Sequence, residues 1–435
     1  LTKYIIDRKI DGFMGEMKES NKKHIAMYIG SLQKGGAERV MVNLAEYLNK
    51  EGYRVTFVTT YMAADEYIVK DRAWELVSDD YNESEMDDVC HPLLQDDEKK
   101  KIRVVSNYYL NHEMKADDSE NSKIYRVFSG LPNKYGRVIS FKARFDKLRN
   151  IWKELNPDII LSFMGKNNVM ALATAKDLGI PVLVSVRALP RLEYESLPLR
   201  IAMRYYFPKA AGVILQTRGA KSFFPKKIQE KSVILKNFIN PDFIGKTYTG
   251  KRNKRIVCVG RIDENKNQEM LIKAFSVISP IFPAVDLYIY GDGPLRKDLE
   301  MQVKNRNLGG RIKFMGNVDN IADEIREAKL FVLPSKTEGM PNALIEAMCL
   351  GIPCLATACD YGPSEIIKDR KTGVLVEEGN INELVYMLAV ALNDYEKTYL
   401  MGFHGSRIQE EYKPEVVGGQ WKDYIESILR KYEQQ

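Results

Sequence analysis

Fifteen residues, Pro334-Ser335-Lys336-Thr337-Glu338-Gly339-Met340-Pro341-Asn342-Ala343-Leu344-Ile345-Glu346-Ala347-Met348, set two carboxylates around the start of a helix. A strand is expected to end at Leu333. Glu338 then sits in a loop, Gly339 frees the backbone, and Pro341 suits the first helical position. The helix offers N–H groups near Asn342, Ala343 and Leu344 to a phosphate. Glu346 follows one turn later, amid Ala343, Leu344, Ala347 and Met348. A carboxylate in that company wants a hydroxyl or a cation, and a sugar or ribose diol satisfies it. The plainer alternative is a solvent-facing Glu on a core helix.

A second cluster, Gly260-Arg261-Ile262-Asp263-Glu264-Asn265-Lys266-Asn267, follows another expected strand. Arg261 and Lys266 there suit a diphosphate held without metal, the guanidinium bidentate and the ammonium as a point charge. Isolated surface cations are the alternative. In Gly30-Ser31-Leu32-Gln33-Lys34-Gly35-Gly36-Ala37, the paired Gly35 and Gly36 let backbone approach a ligand before a helix. A tight turn explains them equally well. Their spacing is not the dinucleotide fingerprint, which disfavours a nicotinamide or flavin. Gly291-Asp292-Gly293-Pro294 either marks a turn or borders a base pocket with Gly316-Asn317-Val318.

These clusters need parallel sheets to position them, because open α/β sheets bind ligands beyond the carboxyl ends of their strands. His24–Ile29, a Gly-rich turn, a helix through Leu48 and a strand over Arg54–Thr59 form a βαβ unit. Regular structure is expected to resume at Pro157, with strands at 157–163, 181–185, 212–216 and 233–235 and a helix over 167–178. A polar, basic linker is expected at 241–254. A second α/β series follows, with strands at 256–260, 286–290, 312–314, 330–333, 353–356 and 374–376. The expected domains are a poorly ordered leader (1–22), an N-terminal Rossmann-like domain (23–240), a C-terminal Rossmann-like domain (255–410), and a C-terminal helix (411–435) packing back on the first. The leader follows from its polar mixture and from Met17 as a natural start after Leu1.

The chain has 435 residues, 45% hydrophobic and 29% charged, the balance of a folded globular protein. No apolar run reaches ~18 residues, so no spanning helix is expected. Five cysteines without a signal-peptide pattern point away from a disulfide scaffold and towards the cytosol. Residues 61–120 carry 17 Asp/Glu and 7 Lys/Arg, leaving 58 Lys/Arg and 42 Asp/Glu elsewhere. A basic body with an acidic surface elaboration (61–122) suits an anionic ligand or membrane surface. No nucleic-acid module is present.

Glu338-Gly339 with Glu346 eight residues on resembles the EX7E signature of family 4 glycosyltransferases. Gly35-Gly36, Arg261 with Lys266, Gly291-Asp292-Gly293-Pro294 and Gly362-Pro363-Ser364-Glu365-Ile366-Ile367 match that family's other motifs in order. The likeness covers roughly His24 to Gln435 and is weaker over 61–155. It implies a GT-B fold, two Rossmann-like domains facing across a cleft, and retaining transfer of a sugar from a nucleotide diphosphate donor. Arg261 and Lys266 would neutralise the leaving diphosphate, Glu338 would contact the donor sugar, backbone from Met340 to Leu344 would support the phosphates, and Glu346 would hold the ribose. Gly260, Gly291, Asn317 and Val318 join the donor residues, and the Gly35-Gly36 loop closes over the phosphates.

The resemblance implies no cofactor and no divalent metal, consistent with the lack of an Asp-x-Asp motif; Asp79-Asp80 and Asp87-Asp88 read as solvated. Many relatives carry an acceptor-side His where this chain reads Ser162-Phe163-Met164-Gly165. Arg187 is the acceptor-side candidate instead, and no general base is assigned. Met340-Pro341-Asn342 and Gly362-Pro363-Ser364-Glu365 are similar to members using UDP-linked hexoses or N-acetylhexosamines. The expected enzyme extends a glycan, carried on a lipid, in surface polysaccharide synthesis, from the cytosol or the inner membrane face. A nucleotide-sugar epimerase and a non-catalytic nucleotide-sugar-binding partner are the alternatives. The segment 189–211 mixes basic and apolar residues and suits either an anionic bilayer or a solvated helix with one core face. Cys349, Cys354 and Cys359 read as structural, and His91 and His112 as surface.

Overall fold

The computed structural model describes residues 22–32, 35–60, 75–77, 122–126 and 137–434. The expected leader up to residue 21, most of the acidic stretch, Asp79-Asp80, Asp87-Asp88, His91 and His112 lie outside the described residues.

Eight strands form the first sheet: β1 (His24–Ile29), β2 (Arg54–Thr59), β3 (Glu75–Val77), β4 (Ser122–Arg126), β5 (Ile159–Phe163), β6 (Val182–Ser185), β7 (Gly212–Leu215) and β8 (Ser232–Ile234). Their order is β3-β4-β2-β1-β5-β6-β7-β8. The second sheet holds β9 (Arg255–Val259), β10 (Asp286–Tyr290), β11 (Ile312–Gly316), β12 (Leu330–Leu333), β13 (Cys354–Thr357) and β14 (Val374–Val376), ordered β11-β10-β9-β12-β13-β14 and parallel throughout. Counted along its own chain, that is the doubly wound order, and β4-β2-β1-β5-β6-β7 repeats it in the first sheet. The order reverses between β1 and β5 and again between β9 and β12. Ligands enter such sheets at those reversals, beyond the strands' carboxyl ends.

The described parts of Leu1–Ser185, Ser196–Val213 and Ile425–Gln435 make one compact unit; Val186–Glu195 and Ile214–Tyr424 make the other. In the first, α1 (Gly36–Lys50) buries Val40, Met41, Leu44, Ala45 and Leu48, the helical stripe read from the sequence. Two findings correct the reading of residues 61–155 as irregular. β3 and β4 are paired strands, parallel to each other and to β2. A helix, α2 (Arg137–Leu155), precedes β5 and buries Leu148, Ile151, Trp152 and Leu155. That i, i+3, i+4, i+7 spacing was a usable signal, obscured by the surrounding Lys and Arg. The Trp152 indole donates to Thr174 Oγ1 at 2.8 Å, fixing α2 to α3 (Gly165–Thr174).

In the second unit, strand alternation divides the core by face. Ile256, Cys258, Leu287 and Ile289 pack with Leu271 and Phe275 of α5 (Gln268–Ile278; α4 is Leu197–Tyr206 of the first unit). Val257, Tyr288, Tyr290, Phe331 and Leu333 pack with Leu344, Ile345 and Met348 on the other side. Both faces are apolar because both are covered by helices.

The expected linker 241–254 lies inside this unit, and the division between units falls within β7. Pro241–Phe243 forms a 3-10 turn whose Phe243 is buried. Arg252 is buried too, its guanidinium donating to the carbonyls of Arg326, Ala328, Tyr248, Leu350 and Gly351 at 2.7–3.2 Å. The segment's polarity thus serves carbonyl ends of neighbouring elements as well as water. In the first unit, the end of the C-terminal helix (Pro414–Glu433) accepts from the Tyr53 hydroxyl at Glu426 (2.8 Å) and from Lys23 at Glu433 (2.5 Å).

His24 opens β1 with its ring buried 2.9 Å from Thr56 Oγ1. Burial, then the nearby Arg54 charge, lowers its pKa to about 4. Above pH ~6.5 the imidazole is neutral folded and unfolded, and its contribution is unaffected by pH. Between pH 6.5 and 4 only the unfolded chain takes up the proton, so stability falls, by at most about 3 kcal/mol. Urea titrations across that range should show a shallower acid decline for His24→Gln than for the parent chain.

Candidate active site

β9 and β12 are neighbours, so the turns that follow them meet although 72 positions separate their bonded residues. Asn265 joins the two turns. Its Nδ2 donates to the Thr337 carbonyl at 3.0 Å, its Oδ1 accepts from the Thr337 hydroxyl at 2.6 Å, and its carbonyl accepts from the Lys336 N–H at 2.8 Å. Asp263 shapes the first turn by accepting from the Lys266 N–H at 2.8 Å. The result brings Lys266 Nζ to 2.6 Å from Glu338 Oε1. Ser335 Oγ donates to the same oxygen at 2.7 Å, and Glu338 is only 8% exposed. An ion pair in that position is shielded from water and keeps both groups in place.

Arg261 is arranged differently. Its side chain is 72% exposed and its Nε donates to Asp263 Oδ2 at 2.7 Å. Exposed pairs of this kind contribute only ~0–1 kcal/mol, so a bound anion competes easily for the guanidinium. Gln268, buried at the start of α5, donates to the Arg261 carbonyl at 2.9 Å and holds the backbone beneath it.

Gly291 follows β10 at φ 119°, and a Cβ there would stand 2.1 Å from the Gly260 carbonyl oxygen. Only glycine permits that crossing of the β9 and β10 ends. The Gly291 N–H donates to the Gly316 carbonyl at 2.7 Å, which brings β11 and the following Asn317 and Val318 alongside. Asn317 is exposed and Val318 half-buried against the core.

The helix carrying Glu346, α6 (Asn342–Cys349), begins one residue later than expected. Pro341 is its N-cap, at φ −78° and ψ 86°, rather than its first helical residue. The ψ angle is non-helical, and the Pro341 carbonyl accepts from Leu344 and Ile345 at 3.0 and 3.2 Å. The first-turn amides of Asn342 and Ala343 have no acceptor within the helix, as at any helix start; Leu344 does not join them. Met340 is half-buried against the core. Glu346 is buried, not solvent-facing, and accepts from the Asn240 N–H at 3.4 Å. Gly362 presses on this loop, since a Cβ there would lie 2.5 Å from the Gly339 carbonyl oxygen. The preceding Tyr361, at φ 73° and ψ −65°, forms a γ-turn closed by Gly362 N–H to the Asp360 carbonyl at 3.1 Å. That conformation is strained for a residue with a Cβ.

Arg187 belongs to the same unit and is buried. Burial lowers its pKa to about 9, with Glu193 opposing the shift. It donates to Asn237 Oδ1, which also accepts from Gln216 Nε2 at 2.9 Å; Asn237 Nδ2 then donates to Asn342 Oδ1 at 2.7 Å. The structure thereby connects Arg187 to the first residue of α6. Asn237, Gln216 and Asn265 were not singled out from the sequence. Their only local signal was a position at or just beyond an expected strand end. Gly35 and Gly36 lie in the first unit, at the N-cap and first residue of α1, and a Cβ on Gly36 would meet nothing within 4 Å.

Cys349 and Cys359 are buried free thiols whose pKa values burial raises to about 12; Cys354 is buried and shifted the same way. Such thiols are inert packing groups.

Two sheets with the doubly wound order, each opening at its own reversal point, are the GT-B architecture. The same fold is found in Anabaena Alr3699/HepE in complex with UDP and glucose, with a TM-score of 0.69 at 17% identity, covering 93% of this chain and 100% of that one. Residues 241–402, which include Arg261, Lys266, Glu338 and Glu346, match the family model for glycosyl transferases group 1. An uncharacterized glycosyltransferase of Haemophilus influenzae is 24% identical over 92% of this chain and 98% of its own length. A Campylobacter jejuni GalNAc-alpha-(1->4)-GalNAc-alpha-(1->3)-diNAcBac-PP-undecaprenol alpha-1,4-N-acetyl-D-galactosaminyltransferase is 26% identical over 85% and 89%. Residues 241–402 are therefore similar to the group 1 glycosyl transferases, and both relatives, matched over most of the chain, are glycosyltransferases.

Proposed function

We propose that this chain, as a family 4 enzyme, transfers a hexose or N-acetylhexosamine with retention from a UDP-linked donor to a glycan acceptor carried on a lipid, in the synthesis of a surface polysaccharide such as a capsule. The observation that carries the reading is the shielded Lys266–Glu338 pair at the β9/β12 reversal, 2.6 Å across. Departure of the nucleotide diphosphate puts negative charge on the leaving oxygens and positive charge on the sugar. Fixed charges aimed at that separation lower the barrier without reorganising during the reaction. Lys266 supplies a positioned cation, Arg261 leaves Asp263 to meet the diphosphate, and the first amides of α6 face the phosphates. Glu338 meets the donor sugar and Glu346 the ribose hydroxyls. The acceptor attacks the face from which the diphosphate departs, and a leaving phosphate oxygen takes its proton. The bond from acceptor oxygen to anomeric carbon forms as the bond to the phosphate oxygen breaks. The Campylobacter relative, named for alpha transfer of N-acetylgalactosamine to a PP-undecaprenol glycan, supports the acceptor class.

Incubation with a panel of nucleotide sugars tests this. Free UDP should form from a UDP-hexose or UDP-N-acetylhexosamine and rise when a lipid-diphosphate glycan is added. A sugar altered without acceptor identifies an epimerase, and no turnover with any donor identifies a binding protein; either result refutes the proposal. Because protein cations carry the leaving-group charge, EDTA should leave at least half the rate. Abolition by EDTA with recovery on added Mg²⁺ contradicts that mechanism.

A further inference from the structure

The helix α4 (Leu197–Tyr206), in the first unit, is apolar on two sides. Met203 is buried in the core. Leu197, Ile201 and Tyr205, spaced i, i+4, i+8, form a stripe on the other side and are 66%, 59% and 57% exposed. Single exposed apolar residues are ordinary, but three aligned on one short helix are a patch. Arg200 and Arg204 flank the stripe in sequence, and Lys209 Nζ lies 3.4 Å from the centre of the Tyr205 ring. No Asp or Glu occurs between Leu197 and Ala211.

We propose that α4 docks on an anionic phospholipid surface, its apolar stripe entering the acyl boundary while Arg200, Arg204 and Lys209 meet the headgroup phosphates. Apolar and basic groups share one short surface, as on helices that lie in the bilayer interface. Ten residues span ~15 Å, half a bilayer core, so α4 lies on the membrane rather than crossing it. Charge decides against a second copy as occupant. A two-fold contact through this face would set its three cations against the same three, whereas an anionic bilayer complements them. The proposal is independent of the sugar-transfer reading and is tested without donor or acceptor.

The full chain is sedimented with phosphatidylcholine vesicles and with vesicles of phosphatidylcholine and phosphatidylglycerol. Binding is expected to the anionic vesicles only and to weaken with added salt. Removing one charge beside an anionic surface costs about five-fold in affinity, so Arg200→Gln with Arg204→Gln should lose about twenty-five-fold. Ile201→Glu should lose at least ~ten-fold, and Ile201→Trp should bind with a blue-shifted emission. Circular dichroism confirms the fold of each variant, and the arginine pair tests the proposal if Ile201→Glu does not fold. Equal binding to both vesicle types, or anionic binding unchanged in folded Ile201→Glu and in the arginine pair, overturns it. Absence of vesicle binding with a parent dimer that Ile201→Glu converts to monomer also overturns it and identifies a self-association face.

Discussion

Replacement of Lys266 by alanine is expected to lower kcat for sugar transfer about 10²–10³-fold, the loss seen when one positioned donor to a developing anion is removed. Two effects combine. The leaving diphosphate loses a fixed cation, and Glu338 loses the partner 2.6 Å from its Oε1. The second effect also appears in stability. Glu338 keeps its Ser335 bond but stays buried, so the substitution should destabilise the second unit by about 1–3 kcal/mol. Lys266→Arg retains charge while changing reach and geometry, and should recover stability more than rate. A cycle with Glu338→Gln separates the contributions: the two groups touch, so their free energies should couple by ~0.5–3 kcal/mol. Single-turnover rates with donor and acceptor, beside denaturant curves for each variant, measure both. Near-parental turnover in Lys266→Ala removes the basis of the leaving-group assignment.

The largest stability effect is expected at Arg252. Its guanidinium satisfies carbonyls of Tyr248, Arg326, Ala328, Leu350 and Gly351 in a buried setting. It also lies 5.5 Å from the centre of the Tyr248 ring. Arg252→Ala leaves several buried acceptors without a donor, and each desolvated acceptor costs about 1–3 kcal/mol. Because water can enter part of the space, the total should be on the order of 3–5 kcal/mol, among the severest single substitutions. Arg252→Lys offers three donors at one point in place of a planar fork and should restore less than half of the loss. Thermal melts resolving the two units should show the lower midpoint in the second unit alone. An unchanged melt places the guanidinium in water and contradicts the packing.

Legibility in the sequence varied with the range of the interaction responsible. The strands of the second unit were readable because apolar residues on both faces produce short continuous runs such as Ile256-Val257-Cys258-Val259. α2 was missed despite its Leu148-Ile151-Trp152-Leu155 stripe, because a basic, polar surface dominates the segment. β3 and β4 were missed because runs of three and five residues are too short to impose a readable period of two. The polar residues of 241–254 read as a linker because composition reports donors, not the buried carbonyls they serve.

Taken alone, the sequence determined where the glycine-bearing turns beyond the strand ends occur and which charges they carry. Strand ending, glycine and helix start are dictated within about ten residues by local sterics and periodicity. Only the tertiary structure decided which of those charges meet. Lys266 reaches Glu338 across 72 positions, and Asn237 reaches Asn342 across 105. Strand order in the second sheet makes β9 and β12 neighbours, and that order is set by how helices cover both faces, not by any local preference. The same packing turned Arg261 outward to Asp263 and Glu346 inward, a difference that residue type does not encode.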